Sequence, residues 1–181
     1  MTYTVTVQNT TGVTLTGIAA TDPLSSALTY VPNSTVANGY RTTTTAVSQT
    51  YANTQTGAVS ETLTSCAAPL VRTFTVPGSL TVTDVDLGLD LTHTYRGDLT
   101  VTLTGPDNTV RTLVANSGDG NDNYDVRFDS SSVLAANDGN ADTANDAGYD
   151  RSATSNQSLN FFNGINGGGT WTLRVCDSAN G

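Results

Sequence analysis

Threonine alternates with valine, leucine or phenylalanine along much of this chain. The runs Thr73-Phe74-Thr75-Val76 and Leu99-Thr100-Val101-Thr102-Leu103-Thr104 show it most clearly. A period of two sends successive side chains to opposite faces of extended backbone, so each run makes one wet face and one dry face. β-Branched residues suit that pleated surface. The fold expected throughout is therefore all-β. Hydrophobic residues make up 36% of the 181 residues and charged ones only 13%. Disordered chains usually combine low hydrophobicity with high charge, and the charge is missing here.

The phase of the alternation marks the breaks. Tyr3, Val5 and Val7 form a first strand, Asn9 to Gly12 turn the chain, and a second strand runs from Val13 to the Asp22-Pro23 break. Leu28 to Val31 is a third. Residues 37 to 65 are rich in Thr, Ser, Asn and Gln and read as a linker or weak strands. From Cys66 the pattern strengthens, with Leu80 and Val82 in even positions. It then slips to odd positions at Val85, Leu87, Leu89, Leu91, His93 and Tyr95, which predicts a bulge or bend near Thr83-Asp84. Leu99, Val101 and Leu103 continue on the next strand, and Gly105-Pro106-Asp107-Asn108 is a hairpin turn. Residues 116 to 150 turn rich in Asp, Asn, Gly and Ser, and order returns with Leu159 to Phe162 and a last strand through Trp171, Leu173 and Val175.

The formal charge is −9, and all seven cationic residues are Arg. Such a surface repels nucleic acid and anionic headgroups, so neither nucleic-acid binding nor membrane insertion is expected. Without Lys the chain can run no Schiff-base chemistry and form no Lys–Asn isopeptide crosslink. No apolar run is long enough to span a bilayer, and no signal peptide is present, so an exported chain of this kind has been trimmed. The two cysteines, Cys66 and Cys176, read either as separate buried thiols or, in line with the extracytoplasmic composition, as one disulfide. A secreted or cell-surface location follows from that composition.

Two resemblances add to this reading. The run TYTVTVQNTTGVTLTGIAATDPLSSALTYVPNST resembles a repeat domain of unknown function found in tandem on bacterial surface proteins. It covers about the first 36 residues, an incomplete β-sandwich repeat. The stretch VDLGLDLTHTYRGDLTVTLTGPDNTVRTLV resembles the core of the P domain, or Homo B domain, of proprotein convertases and bacterial secreted proteases. Its His-Thr-Tyr-x-Gly-Asp-Leu segment falls at His93 to Leu99. Its later Phe-x-Gly…Gly-x-Trp-x-Leu-x-Val-x-Asp pattern falls at Phe162-Asn163-Gly164 and Gly169 to Asp177. The resemblance spans about residues 66 to 181 and implies a jelly-roll-like β-sandwich that supports a subtilisin-like catalytic domain and has no active site. The expected organisation is a partial repeat at 1–40, a linker or weak strands at 41–65 and the P-type sandwich at 66–181. The family pattern continues past Asp177 with another strand, whereas this sequence stops at Gly181. The expectation is that the sandwich lacks that strand, and that Tyr3 to Val7 of this chain or of a neighbour fills the slot by strand complementation.

Candidate chemistry reduces to two features. His93 is the only histidine, and by alternation it shares an inward face with Leu89, Leu91 and Tyr95. That is the setting of a hydrogen-bonded core histidine, not of a general base. The other feature is acidic. Eight of the sixteen acidic residues fall between Asp119 and Asp150, all as Asp. Asp119, Asn121 and Asn123, and again Asp138, Asn140 and Asp142, set short oxygen ligands at every second residue. Alternate residues in a tight turn can aim oxygens at one hard cation, as in the opening of a calcium loop. Neither run has Gly sixth or Glu twelfth, so neither is an EF-hand. Further ligands would come from Asp98, Asp122, Asp125 and Asp129. Otherwise the segment is a solvated acidic surface. The function expected is a non-catalytic, calcium-binding accessory or interaction module, with neighbouring domains or copies of itself as partners. The alternatives are an extracellular fibre subunit and the C-terminal tail domain of a subtilisin-like protease.

Overall fold

The alternating runs at 73–76 and 99–104 do form strands, one more strand lies inside the polar stretch and another follows directly after it. The structure, a computed structural model, describes residues 46–60, 66–115 and 117–179. The chain divides into units at 1–48 and 49–181, and nearly all described residues belong to the second. The proposed surface repeat and its Tyr3 to Val7 strand lie outside the described residues. In chain order the strands are β1 (Leu70–Val76), β2 (Leu87–Leu91), β3 (Leu99–Thr104), β4 (Val110–Ala115), β5 (Tyr124–Phe128), β6 (Arg151–Ala153) and β7 (Gly169–Asp177). Single 3-10 turns at Arg96–Asp98 and Leu159–Phe162 are the described helical elements.

These strands make two sheets. The larger has the order β1-β7-β3-β4 and is antiparallel throughout. The smaller has the order β2-β5-β6, antiparallel between β2 and β5 and parallel between β5 and β6. One hydrophobic cluster joins Val101, Leu103, Leu173 and Val175 of the larger sheet to Leu89, Val126 and Phe128 of the smaller. Two sheets sharing one core make a β-sandwich. Burying a side chain of this size fully stabilises by about 1.5–3 kcal/mol.

Local departures from alternation have physical causes. On β4, Leu113 and Val114 are adjacent yet both fully buried. The register jumps there, with Val101 opposite Val114 and Thr102 opposite Thr112, so Leu113 is an extra, bulged residue. The phase slip after Val82 falls in the irregular connection 77–86, with a bend at Thr83. β2 ends at Leu91, before the alternation does, and Tyr95 is 40% exposed instead of sharing the face of Leu89. β5 (Tyr-Asp-Val-Arg-Phe) alternates but is set among Asp, Asn and Ser residues that read as a loop, and β6 is only three residues long.

Residues 49–60 form no strand, but two of them bond to β1. Asn53 Nδ2 donates to the Thr73 carbonyl, and Arg72 Nε donates to the Gln55 carbonyl. At the other end of β7, Cys66 and Cys176 are joined as a disulfide, with Cα atoms 5.2 Å apart across 110 residues. Phe162 packs edge-on against Trp171, and the Trp171 indole N–H donates to the Gly167 carbonyl.

Candidate functional site: an arginine hub and a carboxylate cluster

Arg96 is fully buried, and its position follows from the turn that precedes β3. Gly97 permits that turn, because a Cβ there would lie 2.4 Å from the Asp119 backbone nitrogen. The guanidinium donates to Asp119 Oδ2 from Nε at 3.0 Å and from Nη2 at 2.7 Å. Nη1 lies 3.0 Å from Asp142 Oδ2. The backbone carbonyls of Asn123 and Asn140 accept two further bonds, and the Tyr124 ring centroid lies 5.2 Å away. A buried charge is tolerable only when paired and hydrogen-bonded on this scale.

Arg151, at the start of β6, repeats the arrangement. Its Nε donates to Asp142 Oδ1 at 2.6 Å and its Nη2 to Oδ2 at 3.0 Å, while Nη1 lies 3.4 Å from Asp138. Asp142 therefore sits between two guanidiniums. Asp119 and Asp138 are pushed up by burial, but their hydrogen bonds and arginine neighbours outweigh this and hold both below the ordinary carboxylate value.

The sequence-expected ligands thus divide. Asp119, Asp138 and Asp142 face arginines. Asn121 and Asn140 close short turns by donating to Asp119 and Asp138. Asn123 accepts from the His93 backbone N–H. Asp98 is half-buried in the turn before β3, and its carbonyl accepts from Ser178. Asp122 is exposed. Asp129 accepts from Ser131 and pairs with Arg127, and the Ser131 bonds lower its pKa. Asp125 alone of the set has a buried carboxylate with no such partner.

Asp125 lies on the outer face of β5, directly opposite Asp90 of β2. Like charges facing each other across an antiparallel pair are destabilising. The residue is nevertheless 0% exposed, and the 143–150 segment lies beside it. Asn145 ties that segment to β2, its N–H donating to Asp90 Oδ1 and its side chain to Thr92. Tyr149 rests on Gly88, where any Cβ would meet the phenol oxygen at 1.9 Å. The Asp150 N–H donates to the Asp125 carbonyl, which brings the Asp150 side chain alongside. One carboxylate oxygen from each of Asp125, Asp146 and Asp150 lies within 4.8 Å of the others. Neither Asp125 carboxylate oxygen accepts a hydrogen bond from the protein. Burial, then Asp90, Asp150, Asp146 and Asp142, push its pKa up to about 6.

Asp90, Asp146 and Asp150 are not among the ligands expected from the sequence. Asp142, Asp146 and Asp150 recur at every fourth residue, a spacing that the search for alternate-residue ligands passes over. Their meeting with Asp125 depends on strand register.

The histidine is part of a third polar group. His93 is 9% exposed, and its Nε2 lies 3.3 Å from Asp177 Oδ2 at the end of β7. Its Nδ1 accepts from the Tyr95 N–H, which leaves the Nε2 proton facing the carboxylate.

These polar groups sit on an all-β sandwich of two sheets. The proprotein convertase P-domain family matches residues 82–181, more than half of the chain, and the chain belongs to that family. No curated protein matches the sequence. Among solved structures, the chain is similar to the serine protease of Aeromonas sobria (25% identity, TM-score 0.39) and to the complex of that protease with its chaperone (23% identity, TM-score 0.38). Each match covers 64% of this chain and 17% of the other, so this chain spans about a sixth of those chains' length.

Proposed function

We propose that the chain supplies the accessory P domain of a secreted or surface-exposed bacterial protease, that it binds calcium and that it carries no active site. The observation that carries the reading is membership of the P-domain family over residues 82–181. The chain's one histidine supports the absence of catalysis, since it is buried with Asp177 beside one nitrogen and the Tyr95 amide on the other. A nucleophile needs a base that can reach an open site. The Cys66–Cys176 disulfide supports an oxidising compartment. Calcium is supported by the carboxylates of residues 119–150 that the arginines leave uncompensated. Neighbouring domains of the parent protein are the partners this reading implies.

The test compares the chain alone with the parent polypeptide that contains it. The chain alone should hydrolyse no peptide substrate, and deleting it from the parent should shorten the half-life of the parent's proteolytic activity at elevated temperature. Hydrolysis by the chain alone that disappears in His93→Gln would overturn the proposal.

A further inference from the structure

The geometry points to one calcium ion held by Asp125, Asp146 and Asp150, fastening the 143–150 segment to the outer face of the β2-β5-β6 sheet. The inference rests on the calcium reading above and gives it ligands that differ, apart from Asp125, from those expected from the sequence.

Two independent observations meet at this place. The first is the convergence of three carboxylates within 4.8 Å. Two of the three are exposed, and clusters of that kind occur without any ion. The second is the state of Asp125. It is fully buried, neither of its oxygens accepts a hydrogen bond from the protein, and its carboxylate belongs to the cluster. A buried carboxylate without a partner costs free energy that folding rarely tolerates. The rest of this acidic region follows that rule, because Asp119, Asp138 and Asp142 each face an arginine. Among the described residues no arginine or histidine pairs with Asp90, Asp125, Asp146 or Asp150. Four neighbouring acids without a protein cation are compensated by a cation from solution.

The kind of ligand selects the ion. Calcium tolerates an irregular shell of carboxylate and water oxygens, whereas magnesium demands a near-ideal octahedron. Ligands drawn from a strand and an irregular segment suit the looser calcium shell, completed by water. Asp90 adds charge beside the site, while its own Oδ1 accepts from Asn145. The ion would then hold the segment that carries Tyr149 over Gly88.

The experiment is calorimetric titration of the chelator-treated 181-residue chain with calcium chloride, in parallel with melting in calcium, magnesium and EGTA. The expected result is one calcium per chain with a dissociation constant on the order of 10⁻³ M or tighter. The melting temperature should rise in calcium and hardly move in magnesium. Asp146→Asn and Asp150→Asn are exposed changes that leave the core intact. Each should weaken binding at least tenfold, and the double variant should melt identically in calcium and EGTA. Asp122→Asn should bind as the parent chain does. If the double variant binds like the parent chain while Asp122→Asn does not, calcium binding stands and this site is wrong. If the parent chain neither binds calcium nor changes its melting, the site and the calcium reading both fall, and the cluster is a solvated surface.

Discussion

The two sheets of this sandwich share a core but are secured differently. The β1-β7-β3-β4 sheet is held by regular alternation, with β3 buried at every second residue, and by a disulfide from Cys66 into β7. The β2-β5-β6 sheet has five-, five- and three-residue strands, and its outer face and edges are fastened by charge. Arg96 and Arg151 hold the segments around Asp119, Asp138 and Asp142, and the carboxylates of Asp125, Asp146 and Asp150 converge beside them. One half of the domain is therefore stabilised by apolar area and chain connectivity, which are indifferent to ions. The other half adds electrostatics to its share of the core, and pH can change that contribution.

The largest effect should come from the disulfide. Reducing it, or changing Cys66 and Cys176 to Ser, should cost about 4–5 kcal/mol in the chain-entropy estimate for a loop of this length. Denaturant titration measures it. The comparison adds a second requirement, that the calcium response of the reduced but still folded protein be unchanged.

Removing the hub tests the other half. Arg96→Leu leaves Asp119 and Asp142 facing each other in a buried site and should cost about 3–5 kcal/mol. Leu103→Ala, in the apolar half, should cost a similar ~2–5 kcal/mol through cavity formation. The two should differ in their pH dependence. Acid that protonates carboxylates should narrow the Arg96→Leu deficit in urea titrations and leave that of Leu103→Ala unaltered. Equal pH dependence in both would break the distinction between the halves.

How far this division is legible in the sequence follows from the same residues. The Leu99 to Thr104 alternation, the Gly105 to Asn108 turn and the run through Trp171 and Val175 each report a strand and its buried face, because period two is a local property. The bulge at Leu113 is not legible, since two adjacent apolar residues fit several registers. β5 carries the same period of two, with Tyr124, Val126 and Phe128 facing the core, but its five residues stand inside a stretch whose composition points to a loop. The wealth of Asp is plain, but the pairing of each Asp is not. Sequence spacing points to Asp119-x-Asn121-x-Asn123, and Arg96, more than twenty residues earlier, occupies that place. A site assembled from strand register and a neighbouring segment leaves only a compositional trace in one dimension.

A smaller effect sharpens the account through its sign. In the folded chain without calcium, the Asp125 pKa stands near 6 against an ordinary 3.8. The folded state then binds the proton more tightly than the unfolded state, so this group's contribution to stability is present below about pH 4 and lost as pH rises through 6. Asp125→Asn removes that loss. In EGTA the variant should gain roughly 1–3 kcal/mol over the parent chain above pH 6 and nothing below pH 4, by urea titration. In calcium at ten times its dissociation constant and pH 7 that advantage should shrink by about 1.4 kcal/mol, because the variant forgoes the ion.

Amide hydrogen exchange in calcium and in EGTA tests the division between the sheets most directly, because it reads both in one sample. Calcium should slow exchange at Tyr124–Phe128, Arg151–Ala153 and the 143–150 segment, while β3 and β7 exchange alike in both conditions. A calcium effect spread evenly over both sheets, or absent from β5 and β6, would contradict the account.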